Sequence, residues 1–325
     1  ADAYGHGMLS VLEALHDVDM LAVARISEGQ RIRQAGNKQR ILVLEGFQEQ
    51  SEIQTAIDND LEVAIHQSGQ IDMLESCKGL RAGLNIWLKI DTGMHRLGVS
   101  LEDAEYCYQR LDALKACNRL ALMTHFANAD DMQSTATLSQ IAAFNGFADK
   151  HDVEKSLANS AGIIGWPESH QDMVRPGIML YGTSPMLGMT AADHQLKPVM
   201  TLSSQLIAVN NLQQGDCVGY GSTWCCPEAM SVGVVAIGYG DGYPRHAPTG
   251  TPVLVNGQRT QTVGRVSMDM VTVDLRGIDA SIGDEVVLWG EGLPAEEIAE
   301  SAGTITYELF CGVTARVAHM YVNES

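Results

Sequence analysis

Short runs rich in Val, Ile and Leu begin near Met20, Ile41, Val63 and Ile86, at spacings of 21, 22 and 23 residues. A step of that size holds one short strand, one helix and two turns, and little else. The stretches between supply the helices: Ile53, Ala56 and Ile57, then Ile71 and Leu74, recur at helical spacing. Ser100 and Asp103 read as a capping box opening a helix that carries Ala104, Cys107, Tyr108 and Leu111. Further strands are expected at 120–124, 155–158 and 172–174, with a long helix from 138 to about 148. That makes seven β-runs alternating with helices. An eighth is implied just before Ala1, because Gly5 and Gly7 mark a turn and Met8, Val11, Leu12 and Leu15 then fall on one helical face. Repeated βα units build a parallel sheet, and eight of them favour an α/β fold of the (β/α)8 TIM-barrel type. An open doubly wound sheet is the alternative. The absence of G-x-G-x-x-G after a strand weakens a dinucleotide-binding version of it.

Near residue 198 the pattern changes. Helical periodicity fades, and β-runs follow closely at 201–209, 231–237, 251–255, 260–266, 270–274 and 285–288. Turn signals such as Asn256-Gly257 and Gly283-Asp284 separate them, and 294–302 reads as the one clear helix. The expected organisation is a barrel over 1–198 followed by a mostly β domain over 199–325.

Bulk properties bound the function. The 325 residues suffice for two domains, and 45% hydrophobic residues provide ample core. No run approaches the ~18 apolar residues of a membrane span, and no secretory signal is visible. The 21 Lys and Arg against 40 Asp and Glu give −19, which argues against nucleic-acid and anionic-membrane partners. Seven scattered cysteines show no C-x-x-C and no Cys/His zinc spacing, so no metal is expected. The adjacent Cys225 and Cys226 suit neither a disulfide nor a metal site; reduced thiols in a cytoplasmic protein is the economical reading. The closing Asn323-Glu324-Ser325 matches a glycosylation sequon by chance.

The polar residues at strand ends carry more. Lys89, His125, Asn159, Ser160 and Arg175 each follow a β-run, and in a barrel all five lie at the C-terminal face, where such folds hold their chemistry. Arg175 sits between Pro176-Gly177 and a strand that should be buried, and its guanidinium needs acceptors because it cannot shed its charge. The loop 89–98 brings three charged groups within eight residues. In the β domain, Tyr220 stands between two glycines, where an edge aromatic is the commoner explanation than a catalyst.

Together these stretches resemble one family. A-D-A-Y-G-H-G at the start, then L-K-I-D-T-G-M-H-R-L-G, T-H-F-A-N-A-D, N-S-A-G, R-P-G-I, V-G-Y-G and G-R-V-S-M-D-M, in this order along the whole chain, are similar to the alanine racemases. The first two of these motifs are quite specific. The resemblance implies pyridoxal 5′-phosphate as cofactor, a head-to-tail homodimer with shared active sites, and L- and D-alanine as substrates. It implies a cofactor lysine immediately before Ala1. Tyr4, Ser160 and the N–H groups of Gly177 and Ile178 would hold the phosphate, Asn159 would lie near the cofactor's phenolic oxygen, and Arg175 would face the pyridine nitrogen. A cation there weakens the electron sink and favours rapid reprotonation, hence racemisation. The lysine would serve the D-alanine face, and Tyr220 of the partner subunit the L-alanine face.

A phenol is a poor base at neutral pH, and the resemblance places His125 between Tyr220 and Arg175 to relay cationic help. Arg96 and the backbone of Met268 would hold the substrate carboxylate, with Lys89 carbamylated as an anionic partner for Arg96. Asp130, Tyr239, Arg245 and Arg265 match the substrate corridor. Ala315 departs from the pattern, standing where some members place a phosphate-binding tyrosine. Rival readings are a broad-specificity amino-acid racemase, a barrel-only pyridoxal-phosphate carrier and a related decarboxylase; the β domain argues against the carrier and Arg175 against the decarboxylase.

Overall fold

The computed structural model describes residues 1–77 and 83–322; the sequon at 323–325 lies outside them. The chain forms two compact units, one of residues 11–177 and 185–187, the other of 1–10, 178–184 and 188–325.

The first unit alternates strands and helices: β1 (Met20–Val23), α1 (Ile26–Gln34), β2 (Arg40–Val43), α2 (Gln50–Asp58), β3 (Glu62–Ile65), α3 (Ser68–Ser76), β4 (Leu84–Lys89), α4 (Leu101–Asp112), β5 (Cys117–Met123), α5 (Ala136–Ala148), β6 (Lys155–Ser156) and α6 (Ser160–Gly165). The six strands pair in parallel in their order along the chain, β1 to β6. A doubly wound sheet reverses its strand order at a switch point. None occurs here, so the sheet is an arc of a barrel.

The helices form where local signals and burial agree. Ser100 caps α4, its hydroxyl accepting the Asp103 N–H at 3.1 Å, and Ala104, Cys107 and Leu111 form the buried face. On α5 that face carries Thr137, Gln140, Ile141 and Phe144. Burying one such Phe contributes roughly 1.5–3 kcal/mol.

Period two along the strands stacks the interior in layers. Leu42, Ala64, Trp87 and Ala121 pack together with Met123. Two residues on from Trp87 the same face presents Lys89, and two residues before Ala121 it presents Arg119.

The second unit is mostly β: β7 (Leu202–Leu212), a small ribbon of β8 (Cys217–Val218) and β9 (Trp224–Cys225), β10 (Met230–Val235), β11 (Pro252–Val255), β12 (Gln258–Gln261), β13 (Val271–Asp274) and β14 (Glu285–Trp289), then α7 (Ala295–Ala302) and α8 (Thr306–Gly312). Its main sheet is antiparallel in the order β12-β11-β14-β7-β10-β13, with the eleven-residue β7 near the centre. Asn256 and Gly257, at φ 50° and 72°, make the tight β11–β12 hairpin that the Asn-Gly pair foretells.

Several expectations fail for physical reasons. The stretch from Met8 forms successive turns instead of a helix; Met8 is buried, but Val11, Leu12 and Leu15 are only partly so, and an apolar face stabilises a helix only when covered. Residues 172–174 are not a strand, and the run at 155–158 shortens to β6. Two backbone bonds remain there, from the Met173 N–H to Lys155 O at 3.2 Å and from the Arg175 N–H to Ala158 O at 2.9 Å, and side chains supply the rest: Asp172 accepts the Lys155 N–H at 2.9 Å, and Ser156 Oγ donates to Met173 O at 2.7 Å. The run at 260–266 ends at Gln261, and Gly264 bends beyond it at φ 72°. Helix α8 was not anticipated; it is short, and Ile305 at its N-cap offers no capping side chain.

Candidate active site

The strand ends of the first unit gather positive charge. Lys89 closes β4 at 6% exposure. Burial, reinforced by Arg175 and Arg96, lowers its amine to about 8. Arg175 is half-buried, and three of its hydrogen bonds run to a hydroxyl and two carbonyls: Ser156 Oγ at 2.6 Å, Thr124 O at 2.6 Å and Leu157 O at 3.0 Å. No carboxylate pairs with it among the described residues. Burial brings the guanidinium down to about 10, which still leaves it charged at neutral pH.

His125 shares this environment. Burial first, then Arg175, Lys89 and Arg96, drives its imidazole down to about 3, so it is neutral at physiological pH. Its backbone is held by a residue absent from the candidates read from sequence. Gln140, buried on α5, donates to His125 O and to Thr92 Oγ1, both at 3.1 Å, and accepts the Ala127 N–H at 3.0 Å. Thr92 in turn pairs with Thr124 at 2.8 Å. A glutamine on the apolar stripe of a helix is the signal that could have found it.

The loop after β4 is organised by Asp91. Its carboxylate accepts the N–H groups of Gly93 at 2.9 Å and His95 at 3.0 Å, and meets the His95 ring at 2.9 Å. Burial alone would raise this carboxyl; the donors of Gly93 and His95 outweigh it and hold it below its usual range. Arg96 follows on the exposed side of this loop. Asn159 caps α6, accepting the Gly162 N–H at 2.9 Å, and the next residue, Ser160, accepts the Gly177 N–H at 2.8 Å. Asp130 is partly buried, and its carbonyl accepts the Leu187 N–H at 3.1 Å. Thus Lys89, Arg175 and His125 share one field with Arg96, while Ser160 and Gly177 are bonded to each other.

In the second unit, Tyr4 packs against Tyr181 and Tyr307 at centroid distances of 5.1 and 5.8 Å. Burial, then Cys311, raises its phenol. The glycines around His6 are required: a Cβ on Gly5 would stand 2.2 Å from Phe310 O, and one on Gly7 2.3 Å from the Tyr321 hydroxyl. The opening motif is therefore shaped to α8 and the last residues of the chain. Ile178 is fully buried at the start of a 3-10 turn, Ile178–Tyr181.

Tyr220 is 70% exposed, on a turn whose glycines 219 and 221 have φ 72° and 75°. Pairing of β8 with β9 sets Cys217 opposite Cys225, and the two form a disulfide. This corrects the expectation of seven reduced thiols: residues eight apart in sequence become cross-strand neighbours once the hairpin closes. The same ring encloses Tyr220. Arg265 lies against this turn, where a Cβ on Gly221 would be 3.2 Å from its Nη1. Met268 and Tyr239 are exposed on neighbouring loops, and Arg245 and Ala315 are exposed as well.

Comparison with known proteins agrees over the whole chain. Residues 1–185 match the family model "Alanine racemase, N-terminal domain", and residues 199–321 match "Alanine racemase, C-terminal domain". The chain is 49% identical to the alanine racemase of Shewanella sediminis over 98% of its length and 89% of that protein. It is 46% identical to that of Coxiella burnetii, covering 100% of this chain and 91% of the relative. Among solved structures, the biosynthetic alanine racemase of Pseudomonas aeruginosa superposes with a TM-score of 0.96 at 44% identity, covering 99% of this chain and 90% of that one.

Proposed function

Because the chain belongs to the alanine racemase family, we propose that it interconverts L- and D-alanine with pyridoxal 5′-phosphate as cofactor. The observation that carries this reading is the cation-rich strand-end field, with Lys89, Arg96 and Arg175 around a neutral His125. Such a field fits an anionic, aromatic cofactor: among the described residues no carboxylate pairs with Arg175, and the Ser160 hydroxyl, with the Gly177 N–H bonded to it, is a polar group suited to a phosphate. When bound, the cofactor would supply the ring that draws electron density from the substrate Cα.

The chain's own residues do the rest. Arg175, fixed by two carbonyls, would meet the ring nitrogen as a donor that stays charged. By the family resemblance, Tyr4, Ser160, Gly177 and Ile178 would hold the phosphate, and Asn159 would serve the phenolic oxygen. Tyr220 of the partner subunit takes or returns the Cα proton on the L-alanine face through its phenolic oxygen. A neutral His125 accepts a hydrogen bond without adding charge, and so can link the phenol to Arg175. Arg96 and the Met268 N–H hold the substrate carboxylate. Asp130, Tyr239, Arg245 and Arg265 line the approach.

Lys89, half deprotonated near pH 8, can take up carbon dioxide: its amine bonds to the carbon and releases one proton, giving a carbamate that faces Arg96. We assign the barrel to 1–198, the β domain to 199–325, and the working form to a cytoplasmic head-to-tail homodimer that supplies D-alanine. Among the described residues no helix is long and apolar enough to cross a membrane.

The test is the decay of optical rotation of pure L-alanine, then of L-lysine, with the protein and pyridoxal phosphate. Decay with alanine alone is expected. Equal decay with both would establish a broad-specificity racemase, and none in cofactor-loaded protein would reduce it to a carrier. Tyr220→Phe should slow proton removal from L-alanine far more than from D-alanine; equal losses would refute the two-base assignment. Ala315→Tyr should tighten cofactor retention and slow bulkier amino acids.

A further inference from the structure

Three loops of the β-rich unit meet at Arg316. Its Nη2 donates to Asp269 Oδ1 at 2.8 Å, and its Nε lies 3.4 Å from Asp241 Oδ1. Asp241 is tied in on its other side, where Oδ2 accepts the Gly238 N–H at 2.9 Å and its carbonyl accepts the Thr314 N–H at 3.0 Å. The Thr314 hydroxyl donates to Gly240 O at 3.0 Å. Residues 238–241 then lie flat on the Met268 loop: the Tyr239 N–H donates to Ser267 O at 3.1 Å and the Gly240 N–H to Met268 O at 2.8 Å. Only glycine permits this approach. A Cβ at 238 would stand 2.3 Å from Ser267 O, and one at 240 would stand 2.4 Å from Arg316 Nη1.

The consequence falls on one backbone group. The Met268 carbonyl is pinned by Gly240, and the Ser267 N–H is pinned on Met270 O at 2.9 Å. The Met268 N–H has no acceptor among the described residues. A peptide plane fixed at its neighbours and open at one donor is suited to a carboxylate. Arg316 secures the plane from both flanks, through Asp269 beside Met268 and through Asp241 on the adjoining strip.

We infer that Arg316 is a positioning residue for substrate: it sets the direction of the Met268 N–H, and with it the affinity for the substrate carboxylate, without touching substrate or cofactor. The inference rests on the carboxylate-binding reading of Met268. Arg is suited to this task because its planar fork engages two carboxylates at once, which an ammonium does less rigidly.

The test uses the cofactor-loaded enzyme and two readouts, KM against kcat for L-alanine and the inhibition constant of propionate, a carboxylate without an amine. Arg316→Met should raise both KM and the propionate constant about tenfold, the size of one weakened hydrogen bond to a charged group. The turnover number should stay within about threefold, and Arg316→Lys should recover most of the loss. Met268→Pro, which deletes the N–H itself, separates the two readings. If it weakens propionate while Arg316→Met does not, the inference is overturned and the carboxylate role stands. If it leaves propionate binding unchanged, the carboxylate reading fails and the inference with it. A fall in turnover alone for Arg316→Met, unrescued by Lys, would also overturn it, since that is the mark of a general structural role.

Discussion

The two ends of the parallel sheet treat charge in opposite ways. At the end where strands begin, Arg40 of β2 meets Glu62 of β3 at 2.7 Å and Glu154 at 3.1 Å, while Arg119 of β5 meets Glu62 at 2.5 Å and also pairs with Glu154. Trp87 donates its indole N–H to Glu62 at 2.7 Å from the layer above. Two cations face two anions. Burial would lower Arg40, but Glu62 and Glu154 outweigh it and hold it above its usual range; burial would raise Glu62, but Arg40, Trp87 and Arg119 hold it below. At the end where strands finish, burial pushes Lys89, His125 and Arg175 all downward, and each of the first two is pushed further by its cationic neighbours. The nearby acid, Asp91, is occupied by its own loop. One end is neutralised from within; the other holds positive charge that burial and its own cationic neighbours oppose. Barrels divide their labour between faces in this way.

The largest effect should come from the unneutralised end. Arg175→Gln should cost about 10²–10³-fold in kcat/KM, the range for removing a preorganised charged donor, with no loss of stability in the cofactor-free protein. A cofactor-free variant that unfolds more readily would mean Arg175 is structural. Next, Glu62→Gln at the neutralised end should destabilise by about 1–3 kcal/mol, because it strands part of two half-buried guanidinium groups that solvent still screens. Denaturant titration reads this, while kcat/KM per folded enzyme should be unchanged; a loss of activity instead would erase the contrast.

An effect no larger is expected for Lys89→Met in cofactor-free protein and carbonate-free buffer. The Lys89 amine loses its proton near pH 8 when folded and near 10.5 when unfolded, so its charged form opposes folding below pH 8. The variant should gain about 1–3 kcal/mol at pH 7, and the gain should fade between pH 8 and 10.5. A pH-independent difference would contradict the cause given. The smallest effect concerns His125, whose ring resonances should show no titration between pH 8 and 5. Below the ordinary histidine range the unfolded chain gains a proton there that the folded one does not, so stability should fall from pH 6.5 towards 3.

Much of this was legible in the sequence because it is written locally. The 22-residue rhythm gives alternating elements, Ser100 with Asp103 gives a helix start, Asn256-Gly257 gives a hairpin, and a polar residue after each β-run gives one rim. What escaped is written between distant residues. Glu62 is an unremarkable opening residue of a strand until Arg40, Arg119 and Glu154 arrive around it. Gln140 gains meaning only against Thr92 and His125, and Arg316 only between Asp241 and Asp269. The Cys217–Cys225 disulfide depends on a ribbon of two residues per strand, too short for any periodic signal. The helix expected from Met8 failed conversely, since pattern was present but its covering partners were not, and the strand expected at 172–174 is reduced to a few bonds with 155–158.

The Arg40–Glu154 contact spans 114 residues of chain. Bringing its ends together costs loop entropy that intervening contacts must first offset, so the ring can close only after β2 to β5 have paired. Its charges should then contribute late, after the rate-limiting barrier. Neutralising Glu154 would accelerate unfolding and leave the folding rate nearly untouched. The neutralised end of the sheet thus acts as a latch on a barrel already assembled, and the lifetime of the folded chain, more than the speed of its formation, is set there.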